Sequence, residues 1–484
     1  MCRGKDHGGR RCPGETGPNA AVRRARQRAA YANAKVARER ATLSTDPAPA
    51  SSPASPGVLA TAPDLPPHTP VTETGVPMWA LVEQYREALP RFGHPATAEE
   101  VQACIAATRE AVALLDTVPS DLLDDEGWSR PTIAGLRAQT AVSHVGAALA
   151  SHAQPDVDAA VRAARADVSH RPGTSMADTT VLDDPASYGS WLEDRAAQAT
   201  ARVLAHRDHG RLDTPEARAD YAEVKALMLE HHEWSTTGKS KWDKASTAAT
   251  AETYRDVLAR FREYRPKGQA DMSGVHESST KAGRKRLEES LAYYPADWHP
   301  AADGPGLPLV LASGRSQANY SIRVGLMGGA RIERAYIVAG TWEIGHAPPG
   351  VAVMLHEYGH HAQEIRPHLL DVETVFLAVH TTGEDGRRDP LEPLSQKAAA
   401  AQARGRTPVT SADLTGDVSR QRWGRSDHFV AAYVGRQYEF RASEVFTTGM
   451  ESLFGGRYGG LSGNGKWERS TAHRDFTLGA LAVL

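Results

Sequence analysis

Cysteine is nearly absent: the 484 residues hold three, Cys2, Cys12 and Cys104. So few thiols exclude a disulfide scaffold and suit a reducing compartment. Cys2, His7 and Cys12 are too loosely spaced for a closed metal site and read as part of a flexible tail. No apolar run approaches the roughly 20 residues of a membrane span. "MCRGKDHGGRRCPGE" places no apolar core after its basic residues, so no secretory signal is expected there. With no signal or span, a cytoplasmic location is expected. A net charge of only −3 gives no whole-chain attraction to nucleic acid or a membrane surface. With 40% hydrophobic and 24% charged residues, the composition suits a soluble protein of two or three domains with some disordered sequence.

What the chain does contain is unevenly spread. Ala20 to Ala41, "AAVRRARQRAAYANAKVARERA", combines two strong helix formers but offers no apolar face. It reads as a solvated basic arm, with electrostatic contact to nucleic acid or an acidic partner as the sharper alternative. Pro, Ala, Ser and Thr dominate from Thr42 to Val76, a composition that cannot bury enough apolar surface to fold. Residues 1–77 are therefore expected to be a disordered arm and linker. Order should begin near Trp79, where "WALVEQYREAL" starts a series of segments with apolar residues three and four apart. These define a helical domain over 78–272. His231 and His232 are adjacent within it, so on a helix they point roughly 100° apart and suit the surface better than a shared metal.

After Pro295 the texture changes. "LPLVLASG", "ANYSIRVG" and "RIERAYIVAG" are short, β-branched or aromatic, and punctuated by glycine, as strands are. A helix is predicted next, in "VAVMLHEYGHHAQEI", with Pro348 and Pro349 at its start. On it His356 and His360 share one face, about 5–6 Å apart at Cβ, close enough for both imidazoles to hold one Zn2+. Glu357 lies about 100° around from His356 and can reach a water on that ion without ligating it, as a general base and later proton donor. A catalytic zinc needs a third protein ligand and an open fourth position. Glu444 is the first candidate, because the apolar residues around it predict a buried helix, where an unpaired carboxylate is costly. Glu451, two turns on, is second, and Asp427 third. Tyr438, Tyr433, His428 and His346 are candidates for oxyanion stabilisation. His361 points off the metal face and is expected to hydrogen-bond Glu364 or Glu373.

His356-Glu357-Tyr358-Gly359-His360 resembles the zincin metallopeptidases, and a glutamate third ligand would make the site gluzincin-like. More narrowly, Ser273 to Leu484 resembles a metallopeptidase-like domain of phage minor head and head-morphogenesis proteins and related actinobacterial proteins. The landmarks are "YPADWHP" (Tyr294–Pro300), "VETVFLAVHTTGED" after the motif helix, "DHFVAAYVGRQY" (Asp427–Tyr438), "SEVFTTGMESL" (Ser443–Leu453) and the closing "DFTLGALAVL". By this resemblance Glu444, leading "EVFTTG", is the third ligand. The expected fold is α+β, a zincin-like domain over 273–484 with a small sheet, preceded by the helical domain. The expected function is a zinc-dependent metallopeptidase, possibly phage-related, acting on a peptide or protein substrate, with no membrane partner. Two alternatives share the same domain. One is a non-catalytic zinc-containing structural or head-morphogenesis protein that binds partners through its helices and basic arm. The other is a toxin-type effector protease.

Overall fold

In a computed structural model of the chain, helices begin where the sequence supplies caps or proline. Residues 65–119, 130–169, 185–211, 213–233, 239–314, 319–327, 330–340, 351–382, 392–393, 422–423, 432–437, 443–456 and 471–484 are described. Helix α1 (Met78–Ala88) follows Pro77. Helix α2 (Ala98–Ala113) opens on a capping box: Glu100 N donates to Thr97 Oγ1 at 3.2 Å, and Thr97 N donates to the Glu100 carboxylate at 2.7 Å. The 37-residue α3 (Ile133–Ser169) comes next, then α4 (Pro185–Asp208), α5 (Pro215–Glu233) and α6 (Lys239–Phe261). Helix α7 (Lys281–Leu291) starts at Thr280, whose side chain accepts from Gly283 N.

Among the described residues, packing is already present ahead of Trp79, the expected start of order. Val71, expected in the linker, is 2% exposed and packs with Leu81, Val82, Tyr85 and Leu136. Its N–H donates to Pro131 O at 2.8 Å, and Ile133 N donates to Thr69 O at 3.1 Å. One apolar side chain and a few backbone bonds tie the segment down, a local fact that an averaged Pro/Ala/Ser composition hides. The basic arm lies outside the described residues.

Strands β1 (Leu309–Gly314), β2 (Asn319–Met327) and β3 (Ala330–Gly340) fall in the three predicted segments. Their order is β1-β3-β2, with β1 parallel and β2 antiparallel to β3, so β2 forms one edge. Helix α8 (Val351–Ile365) packs on β2, β3 and α7. Helix α9 (Pro367–His380) follows, with proline in its first turn. Helices α10 (Val445–Leu453) and α11 (Thr471–Val483) close the fold. The class is α+β: many helices with this three-stranded sheet and a second one of two-residue strands, Glu392–Pro393, Arg422–Trp423 and Arg436–Gln437. No helix among the described residues is long and apolar enough to cross a membrane.

One hydrophobic core takes residues from both sides of residue 272, the expected end of the helical domain. Val142, Leu149 and Tyr254 share it with Leu355, Phe446 and Leu481. Glycine makes the closest crossing possible. A Cβ on Gly479 of α11 would lie 1.8 Å from Val142 O, and one on Gly146 of α3 would lie 1.6 Å from Asp475 O. Only residues without a side chain let α3 and α11 approach this closely.

Candidate metal site

The apolar stripe of α8 fixes which way its histidines face. Met354, Leu355, Tyr358, Ala362 and Ile365 are buried. The Tyr358 hydroxyl donates to Trp298 O, and Tyr294 OH donates to Leu355 O at 2.5 Å. The Tyr294–Pro300 segment therefore lies directly against the helix, and the other stripe of α8 is turned toward α10.

There His356 and His360 converge. Their Nε2 atoms lie 3.1 and 3.5 Å from the same oxygen, Glu444 Oε2. The ligand atoms of His356, His360 and Glu444 all fall within 4.8 Å of one another, and no other metal-binding group is found among the described residues. Glu444 is completely buried. It is not inside a helix, as expected, but at the N-cap of α10, with φ −101° and ψ 4°. Departure from helical geometry at this position lets it sit ahead of the helix while Thr447 Oγ1 donates to its Oε2 at 3.1 Å. Gly359 explains how α10 comes so near. A Cβ there would stand 2.9 Å from Thr447 Cγ2 and 3.2 Å from Thr447 Cα. The unremarkable fourth letter of His-Glu-Tyr-Gly-His is thus what admits the third ligand.

Glu451 contacts the other ring nitrogen. Its Oε2 is 3.3 Å from His356 Nδ1. A carboxylate there orients the ring and leaves Nε2 facing the cluster, the usual place for the partner of a metal-ligating histidine. On His360 the same place is taken by Gln363 Oε1, 3.1 Å from Nδ1.

Electrostatics give the cluster one direction. Burial would lower both histidines, but Glu444, joined by Glu451 at His356, raises His356 well above its ordinary pKa and raises His360 as well. Burial would raise Glu444, yet His360 and His356 hold it well below the carboxylate range. The cluster therefore attracts positive charge to the point where the three side chains meet. Two imidazoles and a carboxylate are a donor set suited to zinc, and three protein ligands leave a fourth position for water or substrate. Glu357, itself buried, has its pKa raised, chiefly by burial and against the pull of His356 and His360. Such a carboxylate holds a proton more readily than a solvated one.

His361 departs from expectation. Neither Glu364 nor Glu373 is its direct partner: Nδ1 lies 3.4 Å from Tyr320 OH, and that hydroxyl donates to Glu364 Oε2 at 2.5 Å. Tyr320, on the edge strand, comes between the two, and Glu373 is turned toward Gln363 instead. Burial lowers the His361 pKa to about 4, so it is neutral. Tyr320 also lies over His360, with ring centroids 6.3 Å apart and planes 28° apart. Sequence reasoning missed both Tyr320 and Gln363. The spacing of Gln363, three after His360 and seven after His356, could have flagged it; nothing local marks Tyr320. Asp427, His428, Tyr438 and His346 lie outside the described residues, and so does the side chain of Tyr433. His231 is a surface residue near Glu193, at 3.4 Å.

Comparison with family models, characterised proteins and solved structures finds no match.

Proposed function

We propose that this chain is a zinc-dependent hydrolase of peptide bonds on a zincin-like scaffold. The observation that carries the reading is the convergence of buried His356 and Glu444 with part-buried His360, with Glu357 one residue along the same helix from His356. His356, His360 and Glu444 would hold the ion. When bound, zinc lowers the pKa of a coordinated water towards about 7 and polarises a carbonyl. Glu357 takes the proton of the attacking water and passes it to the leaving amine, and its raised pKa favours that step. Glu451 holds the His356 ring from its other side, and Thr447 holds Glu444. Strand β2, at the sheet edge beside α8, suits an extended peptide added as a further strand. The resemblance to phage head-morphogenesis domains makes head-associated proteins the first substrates or partners to try.

The reading is tested by metal analysis of the purified chain. It should carry about one zinc, as a three-ligand site requires, and His356→Ala or His360→Ala should lose it. Metal content unchanged by either substitution would remove the site.

A further inference from the structure

Three elements meet behind the candidate ligands at one side chain. Gln363 follows His360 by three residues, so it lies on the ligand-bearing side of α8, and it is 2% exposed. Its Nε2 donates to both oxygens of Glu373, at 3.0 and 3.1 Å, and to Ser443 O at 2.8 Å. The backbone carbonyl of Ser443 can only accept, so the amide nitrogen must face it and Oε1 must face His360 Nδ1, 3.1 Å away. An oxygen at that position can only accept, which places a ring proton on Nδ1 and leaves Nε2 as the nitrogen that would meet the ion. Glu373 on α9 is completely buried and also accepts from Phe446 N at 3.3 Å, so it is fixed to α10 as well. Ser443, the other acceptor, directly precedes Glu444.

We propose that Gln363, locked in one orientation by the Ser443 carbonyl, is a positioning residue that sets both the tautomer of His360 and the place of Glu444 for the metal. The proposal rests on the zinc reading above. The same amide serves two ligands from different elements: its oxygen orients the ring, and its nitrogen holds the backbone one residue before the carboxylate. A plain structural glutamine would have no need of a fixed amide direction.

The test uses the full chain and zinc alone as probe, with affinity read by competition against a chromophoric chelator. Gln363→Met removes the acceptor and both donors at similar length, and should weaken zinc binding about 10- to 100-fold, as loss of an outer partner does. The ring nitrogens of His360, read by nitrogen-15 NMR of the zinc-loaded protein, should show metal on Nε2 and a hydrogen-bonded proton on Nδ1 in the wild type, and Gln363→Met should lose the hydrogen-bond signature of Nδ1. The exchanged pair Gln363→Glu with Glu373→Gln still turns an oxygen to His360 but leaves no donor for Ser443 O. It should recover the ring-orienting share alone, with an affinity between those of Gln363→Met and wild type. Equal affinity in wild type and Gln363→Met, or a lower melting temperature with affinity and the Nδ1 signature unchanged, overturns the positioning role and leaves the zinc site standing. A wild type that binds no zinc overturns both.

Discussion

Seven residues separate Glu444 from Glu451, both are buried, and both face His356. What distinguishes them is which nitrogen each one meets. Glu444 reaches Nε2 of both histidines; Glu451 reaches only Nδ1 of one. Losing a ligand and losing an outer partner differ in magnitude, so the two substitutions should separate. Glu451→Ala should cost about 10- to 100-fold in zinc affinity, and Glu444→Ala should cost more than that. Chelator competition measures both, and the reverse order would make Glu451 the ligand. At this scale the sequence was informative about the histidines, because a four-residue spacing on a helix is geometry. It ranked Glu444 above Glu451 through the closing segment it resembles. It had no means of seeing Tyr320, whose contact with His361 depends on how β2 packs against a helix some 41 residues further on.

At the scale of elements, the close contact of α8 with α10 is the step that assembles the site. Gly359 is its contact point, and any side chain there meets Thr447. Gly359→Ala should push α10 outward, destabilise the fold by about 1–3 kcal/mol as overpacking does, and weaken zinc binding by moving Glu444. Denaturant unfolding and chelator competition on the same preparation check both effects. A stable protein with unaltered affinity would show that the two helices do not need this closeness. Helix and strand identities were readable from periodicity and turn residues: α1, the three strands and α8 all lie where the pattern put them. The conformation of Glu444 was not, because an apolar run does not tell its first helical residue from its cap.

At the scale of the molecule, the domain boundary expected at residue 272 coincides with no gap in the core. Helix α11 rests on α3 through Gly479 and Gly146, and Arg262 of the loop after α6 donates to Leu481 O at 3.0 Å. Period and composition report how each segment folds, not which segments share a core, and so the sequence divided what packing joins. A fragment of residues 273–484 would expose the face of α11 that α3 covers. It should lack the cooperative thermal transition of the full chain when followed by circular dichroism. A fragment melting cooperatively near the full chain's midpoint would show that this packing is dispensable.

The central claim, that Glu357 works as the base beside a His356–His360–Glu444 metal site, is met most directly by Glu357→Gln. The amide keeps the size of the side chain but cannot take a proton from water. Zinc content and melting temperature should stay at the wild-type level, since Glu357 is not a ligand. Cleavage of a mixed peptide and protein library by the full chain should fall by at least about 100-fold, the low end of what general-base catalysis contributes. Cleavage that persists in the zinc-loaded Glu357→Gln protein would contradict the account, as would a zinc-loaded wild type that cleaves nothing in the library.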